Sequence, residues 1–186
     1  PTAEIWRDNT LAAPYFKNPD DSLKTFDFAV ANPPFSQKNW SNGVNTARDE
    51  YGRFEYGVPP AKNGDYAFLL HIIKSLKSTG KAAIILPHGV LFRGNAEGTI
   101  RTRLLKQGFI KGVIGLPANL FYGTGLAACV LILRHDKPAR RVIKSSRWLL
   151  LRNRENLDRH QSVKLDELLE ANQPLLTAYL MRDELK

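Results

Sequence analysis

Residues 32–35, Asn-Pro-Pro-Phe, have the residue types and spacing most suited to chemistry. They directly follow a short apolar run at 26–31, and ligands of open α/β sheets lie beyond the carboxyl ends of strands. The two prolines fix two successive φ angles and remove two N–H donors. What remains is a rigid row of acceptors, the Asn32 amide oxygen and the backbone carbonyls, followed by the flat apolar ring of Phe35. This arrangement favours an exocyclic amino group on a planar ring.

The chemistry that such a site could perform is methylation of that amino group. An aromatic amine is a poor nucleophile because its lone pair is delocalised into the ring. The two amino hydrogens would donate hydrogen bonds to the Asn32 amide oxygen and the Pro33 carbonyl. These bonds would draw the nitrogen toward tetrahedral geometry and stabilise the transition state through preorganised dipoles. The amine can then attack a sulfonium methyl in line without a strong base. The plainer interpretation is an ordinary Asn-Pro-Pro turn at the end of a strand.

The elements that must position this motif follow from hydrophobic periodicity and turn residues. The pattern predicts strands at 4–6, 26–31, 81–86, 109–115 and 126–134, helices at 66–77 and 96–106, and a long loop at 32–64. Asp65 is expected as a helix N-cap or a first-turn acid, and Thr79-Gly80 and Gly108 as helix ends. Strands alternating with single helices predict βαβ units and a mostly parallel sheet covered on both faces.

Composition limits the class of protein. The 186 residues suit one domain, or one domain with an appendage, and 43% hydrophobic content excludes global disorder. The longest apolar runs are far short of the ~20 residues that a membrane span needs, so we expect no membrane contact. The single cysteine, Cys129, lies in an apolar run, which excludes a disulfide framework and fits a reducing cytoplasm. The four histidines lack ligand spacing, and we expect no metal.

The charge of +9 indicates either a polyanionic partner, most often nucleic acid, or simply a basic protein. Seven bases and no acid lie in 137–154, so this run is the better candidate for phosphate contact. The pattern changes after residue 139. We therefore divide the chain into 1–139 and a tail at 140–186, in which 141–151 reads as a basic strand and 164–171 and 174–185 as helices. The tail is either an added module or the last strand of the sheet with connecting helices.

Residues 26–35 resemble motif IV of amino-methyltransferases, the Asn/Asp-Pro-Pro-aromatic signature. Segments 64–69, 80–87, 89–94, 100–101 and 113–117 narrow the resemblance to the methylation subunit of type I restriction–modification systems, over about residues 2–135. The resemblance implies an α/β fold, namely the second half of the Rossmann-like sheet of an S-adenosylmethionine-dependent methyltransferase. It also implies adenine-N6 methylation in duplex DNA, with a specificity subunit and possibly a restriction subunit as partners.

The resemblance also implies roles for individual residues. Asn32, Pro33, Pro34 and Phe35 would hold a flipped adenine, with Phe35 stacking on the base. Phe121 would be a second aromatic plate or else a loop anchor. Asp8, Asp65 and Phe68 would lie at the cofactor pocket, although Asp65 could equally be a simple helix cap. Phosphate contacts are expected from four arginines, some of which could instead be surface charges: Arg93, Arg101, Arg140 and Arg141.

One feature departs from this family. The family's cofactor site begins with a glycine-rich turn, whereas the first glycine here is Gly43, after the motif; the acid that would hold the ribose is missing too. The chain therefore resembles the second half of the catalytic domain, from a fragment or a split gene. We expect an exposed apolar edge at the 26–31 strand, poor S-adenosylmethionine binding and no activity in isolation. Alternative functions are methylation of a protein glutamine and a catalytically inactive DNA-binding or assembly module.

Overall fold

The computed structural model describes residues 3–116, 119–121 and 125–135, and the expectations for the tail, including Arg140 and Arg141, lie outside them. The described elements follow one another as β1 (Phe26–Ala31), α1 (Asp65–Lys74), β2 (Leu76–Pro87), a 3-10 turn (His88–Leu91), α2 (Asn95–Lys106), β3 (Ile110–Gly115) and β4 (Ala128–Arg134). No helix in these ranges combines the length and apolarity needed to cross a bilayer.

The strands form one four-stranded sheet in the order β1-β2-β4-β3. β1 pairs parallel with β2, with Ala31 opposite Ile84. β4 lies between β2 and β3 and is antiparallel to both, with Cys129 opposite Leu86 and Leu131 opposite Val113. β1, β2 and β3 therefore run in the same direction, and β4 alone runs against them.

The expectation of a mostly parallel sheet was wrong for the strand pairs, because among the described strands only the β1–β2 pair is parallel. The reason lies in the chain between Gly115 and Ala128. The described part of this connection contains no helix, and β4 pairs with β3 as an antiparallel neighbour.

One face of the sheet belongs to the hydrophobic core. Side chains alternate along a strand, so directly paired residues share a face. One such face joins Ile84, Leu86, Leu131 and Leu133, all buried, with apolar residues of α1 and α2. On the opposite face, at the outer strand, Phe28 is 75% exposed and Val30 is 85% exposed. The described helices thus cover one face and not both, and the expected apolar edge at β1 is confirmed.

Three further element predictions were wrong. Residues 4–6 form no strand, and α1 ends at Lys74 rather than near residue 77. The Ser75 hydroxyl donates to the carbonyl of His71 and closes the helix, after which Leu76 pairs with Phe26. Gly80 lies in β2 beside an irregularity in the register, where a Cβ would stand 2.9 Å from the carbonyl oxygens of Lys77 and Phe26. A glycine is needed at this position because the backbones approach closely, and not because a helix ends there.

Candidate active site

The candidate site lies at the edge of the sheet where β1, β2 and β3 end. Asn32 follows β1, the 3-10 turn follows β2, and the connection that contains Phe121 follows β3. Because β4 is antiparallel, its first residues return to this same edge. The backbone N–H of His88 donates to the carbonyl of Ala127 (3.0 Å), and that of Leu116 donates to Ala128 (2.9 Å), which ties the connection to the turn.

Asn32 leaves β1 with its amide available. The residue is exposed, and its side chain makes no hydrogen bond to the residues that the structure describes. Pro33 is half-buried and Pro34 is exposed. The role of this row as an acceptor of an external donor stays a prediction.

Phe35 and Phe121 contact each other across the site. Their ring centroids are 5.4 Å apart and their planes meet at 78°, an edge-to-face arrangement. The structure therefore brings together the two residues proposed to stack on a base. A base between two parallel rings needs about 7 Å between their centroids, because each stacked contact takes ~3.5 Å. The rings must separate before a base could enter between them.

Asp65 lies beneath this loop and is completely buried. It is the first residue of α1, with Gly64 in the N-cap position, so it is a first-turn acid and not the cap. Its Oδ1 atom accepts the backbone N–H of Ser36 at 2.7 Å, and its Oδ2 atom accepts Nη2 of Arg93. Both carboxylate oxygens are thus engaged inside the protein.

Arg93 and Arg101 belong to the same region but point inward. Nε of Arg93 lies 2.8 Å from Oε2 of Glu97, an ion pair in which the Glu97 side chain is 2% exposed. Burial raises the pKa of Glu97, and the charge of Arg93 opposes that rise. Nη1 of Arg101 donates to the carbonyls of Val90 and Arg93. The phosphate contacts expected of these arginines stay a prediction.

The other two residues expected at a cofactor pocket have different surroundings. Asp8 is exposed, and its Oδ1 atom accepts only the N–H of its neighbour Asn9, at 2.7 Å, within the described residues. Phe68 is half-buried and packs against the hydrophobic core. No contact among the described residues joins Asp8 to the 32–35 motif.

A buried charge network around Arg53 was not predicted from the sequence. The Arg53 side chain is 2% exposed and forms an ion pair with Asp49 at 2.6 Å. It also donates to the carbonyl of Leu11 at 2.8 Å and approaches Nδ1 of His71 at 3.4 Å. Burial, and then the charge of Arg53, lower the pKa of His71 to about 4. The only sequence signal was the i,i+4 spacing of Asp49 and Arg53 in a polar loop.

The fold and the site together define a partial sheet of the Rossmann-like methyltransferase type, with an Asn-Pro-Pro-Phe row at its carboxyl edge. The chain belongs to the N-6 DNA methylase family, whose profile matches residues 1–185.

Relatives of known class agree with this assignment. The type I restriction enzyme MjaVIII methylase subunit of Methanocaldococcus jannaschii is 30% identical over 174 residues, which is 91% of this chain and 29% of that protein. The crystal structure of the methyltransferase subunit of a type I restriction-modification system from Streptococcus thermophilus is 43% identical, with a TM-score of 0.58. The matched region covers 67% of this chain and 26% of the Streptococcus thermophilus chain.

A relative of a different kind is also present. The transposase for insertion sequence element IS1001 of Bordetella parapertussis is 80% identical over 54 residues, or 29% of this chain and 13% of that protein. The chain therefore spans only about one eighth to three tenths of the length of these relatives.

Proposed function

We propose that this chain supplies the acceptor side of an adenine-N6 DNA methylase, as part of the methylation subunit of a type I restriction–modification system. The observation that carries the proposal is the Asn32 amide, exposed and without a hydrogen-bond partner among the described residues, at the carboxyl edge of a parallel strand pair. Two prolines and an aromatic ring follow it. This row suits a flipped adenine, whose exocyclic amine needs two acceptors and whose ring needs a flat apolar surface.

The proposed chemistry is activation of the amine without proton abstraction. The Asn32 amide oxygen and the Pro33 carbonyl accept the two hydrogens of the amino group, and the nitrogen lone pair becomes localised for attack. The φ angle of Pro33 is fixed by its ring and its ψ angle is restricted by Pro34, so its carbonyl is preorganised and costs little reorganisation in the transition state. Phe35 stacks on the base after it separates from Phe121, and Phe121 covers the other face.

The residues of this chain do not fit a complete S-adenosylmethionine site. Asp65 uses both oxygens on Ser36 and Arg93, and Phe68 packs against the core. Of the three described residues expected at the cofactor, Asp8 alone keeps a carboxylate oxygen without a hydrogen-bond partner. No glycine precedes Gly43 in the sequence, so no glycine turn is available before β1. We propose that the methyl-donor site needs further methylase strands, which pair with the free backbone edge of β1 and are accompanied by cover for the exposed Phe28 and Val30, and that the chain alone is inactive.

Partners of the complete enzyme follow from the same assignment. We propose duplex DNA as the substrate, in line with the +9 charge, and a specificity subunit, with or without a restriction subunit, as protein partners in the cytoplasm. Arg93, Arg101, Arg140 and Arg141 stay as phosphate candidates. Because Arg93 and Arg101 make contacts inside the protein, Arg140 and Arg141 are the pair to test first.

A second proposal concerns the division of the chain at residue 139. We propose that the transposase-like stretch of 54 residues corresponds mainly to the tail at 140–186. In support, the described sheet ends at Arg134, and the Streptococcus thermophilus subunit covers only 67% of the chain. Against it, the family profile and the MjaVIII alignment both extend into the tail. Sequencing the gene beyond codon 139 tests this, because an insertion-element end is expected there. Uninterrupted methylase-coding sequence would contradict it.

The decisive experiment uses a chimera, because the chain alone is expected to be inactive. Residues 3–135 replace the matching segment of the Streptococcus thermophilus subunit, which is assayed with its own specificity subunit. We expect labelled methyl groups in DNA, recovered as N6-methyladenine by mass spectrometry. Transfer to glutamine of a protein substrate would favour the alternative enzyme, and DNA binding without any transfer would favour an inactive module.

A further inference from the structure

The Asp65 carboxylate joins three segments that are far apart in the sequence. It starts α1, accepts the Ser36 N–H directly after the 32–35 motif, and pairs with Arg93 after the 3-10 turn. A second bond supports the same junction, because the Gly64 N–H donates to the Gln37 carbonyl at 3.0 Å. The end of the motif loop is therefore fastened to the start of α1 at two successive residues.

The segment held in this way has an unfavourable backbone conformation. Ser36 has φ of 51°, in the left-handed region that residues other than glycine rarely adopt. Such a conformation is unfavourable for serine and persists only when its surroundings enforce it. The N–H of this strained residue donates to Asp65, and the preceding residue, Phe35, contacts Phe121.

The chemistry of the junction requires a carboxylate. Asp65 faces two donors, the Ser36 amide and the Arg93 guanidinium, and offers one oxygen to each. An asparagine would offer one acceptor and one donor, so one of the two partners would be left opposite an N–H group. Arg93 is itself packed closely, because a Cβ on Gly89 would stand 2.9 Å from its guanidinium carbon.

We propose that Asp65 is a positioning residue, which fixes the Asn-Pro-Pro-Phe loop through the Ser36 amide while Arg93 compensates its buried charge. It does not touch the substrate in this account. The effect on the loop is independent of the enzymatic assignment, whereas the consequence for methyl transfer rests on the proposed function.

The test is amide hydrogen exchange of the chain, resolved by residue with NMR, for Asp65→Asn and the parent. We expect exchange at Ser36 to accelerate about ten- to a hundredfold, as the loss of one charge-assisted bond implies. Amides of the β2–β4 pair, such as Leu131, should exchange at their parent rate. The control is Asp27→Asn, at an exposed carboxylate that pairs with Lys77 on the surface, and it should leave Ser36 unchanged.

Two results overturn the proposal. An unchanged rate at Ser36 would show that the Asp65 bond does not hold the loop. Equal acceleration at Ser36 and Leu131 would show a general loss of stability and no positioning role. In the chimera, Asp65→Asn should lower kcat with little change in KM for DNA. A parent chimera without activity would count against the proposed function alone, because the exchange result does not depend on it.

Discussion

Gly64→Ala should destabilise the chain through a steric conflict beneath the motif loop. A Cβ at residue 64 would lie 2.6 Å from Cβ of Trp40 and 3.2 Å from the carbonyl oxygen of Gln37. Trp40 is 2% exposed, donates its indole N–H to the Pro60 carbonyl at 2.8 Å and packs edge-on against Phe54. Since the ring is held on these sides, the added methyl group must displace the 37–40 backbone.

The expected cost is about 1–3 kcal/mol, the range for overpacking a buried site. The φ of Gly64 is −90°, which alanine also adopts, so the loss would be steric and not conformational. Gly98→Ala is the matched control, because its Cβ would meet nothing closer than 3.7 Å in the interior of α2. It should stabilise by about 0.5–1 kcal/mol. Urea denaturation followed by circular dichroism measures both, and a Gly64→Ala variant as stable as the parent would refute this reasoning.

Three further predictions concern buried groups. The pKa of His71 is lowered from 6.5 to about 4, so the unfolded chain binds the extra proton first. Stability should therefore fall by up to about 3 kcal/mol as pH drops from 6.5 to 4, and His71→Leu should remove this slope in urea titrations. Arg53→Met should cost about 3–5 kcal/mol because it leaves Asp49 buried and unpaired, and Asp49→Asn in the same chain should recover part of the loss. Burial raises the pKa of the Cys129 thiol to about 12, so a disulfide reagent at pH 8 should label it only in denaturant, and rapid labelling of the native chain would contradict this.

The sequence was most informative where a pattern is local. The apolar run that forms β1, and the prolines that end it, placed the motif correctly at a strand end. Gly108 ends α2 with φ of 75°, the conformation expected of a glycine after a helix. Phe35 and Phe121 were expected at one site on the strength of resemblance, and the structure places them in contact.

The sequence was least informative where long-range contacts decide. The apolar run of β4 is compatible with either direction, so its antiparallel insertion between β2 and β3 could not be derived from periodicity. Asp65 follows a glycine at a helix start, which is typical of a cap or a cofactor ligand. Its actual partners, Ser36 and Arg93, are separated from it by more than two dozen residues on either side. The burial of Arg53 could not be predicted for the same reason, because the polar loop around it gave no sign of burial.

We propose that Asn32 holds the amino group that is methylated. The most direct measurement is single-turnover methyl transfer by the chimera, with Asn32→Ala compared with the parent at saturating DNA and S-adenosylmethionine. We predict that the rate falls by at least about a hundredfold, the scale for removing one preorganised hydrogen-bonding group, while the DNA dissociation constant changes little. Transfer at the parent rate would contradict the claim, because the amine would then be activated by a group other than Asn32.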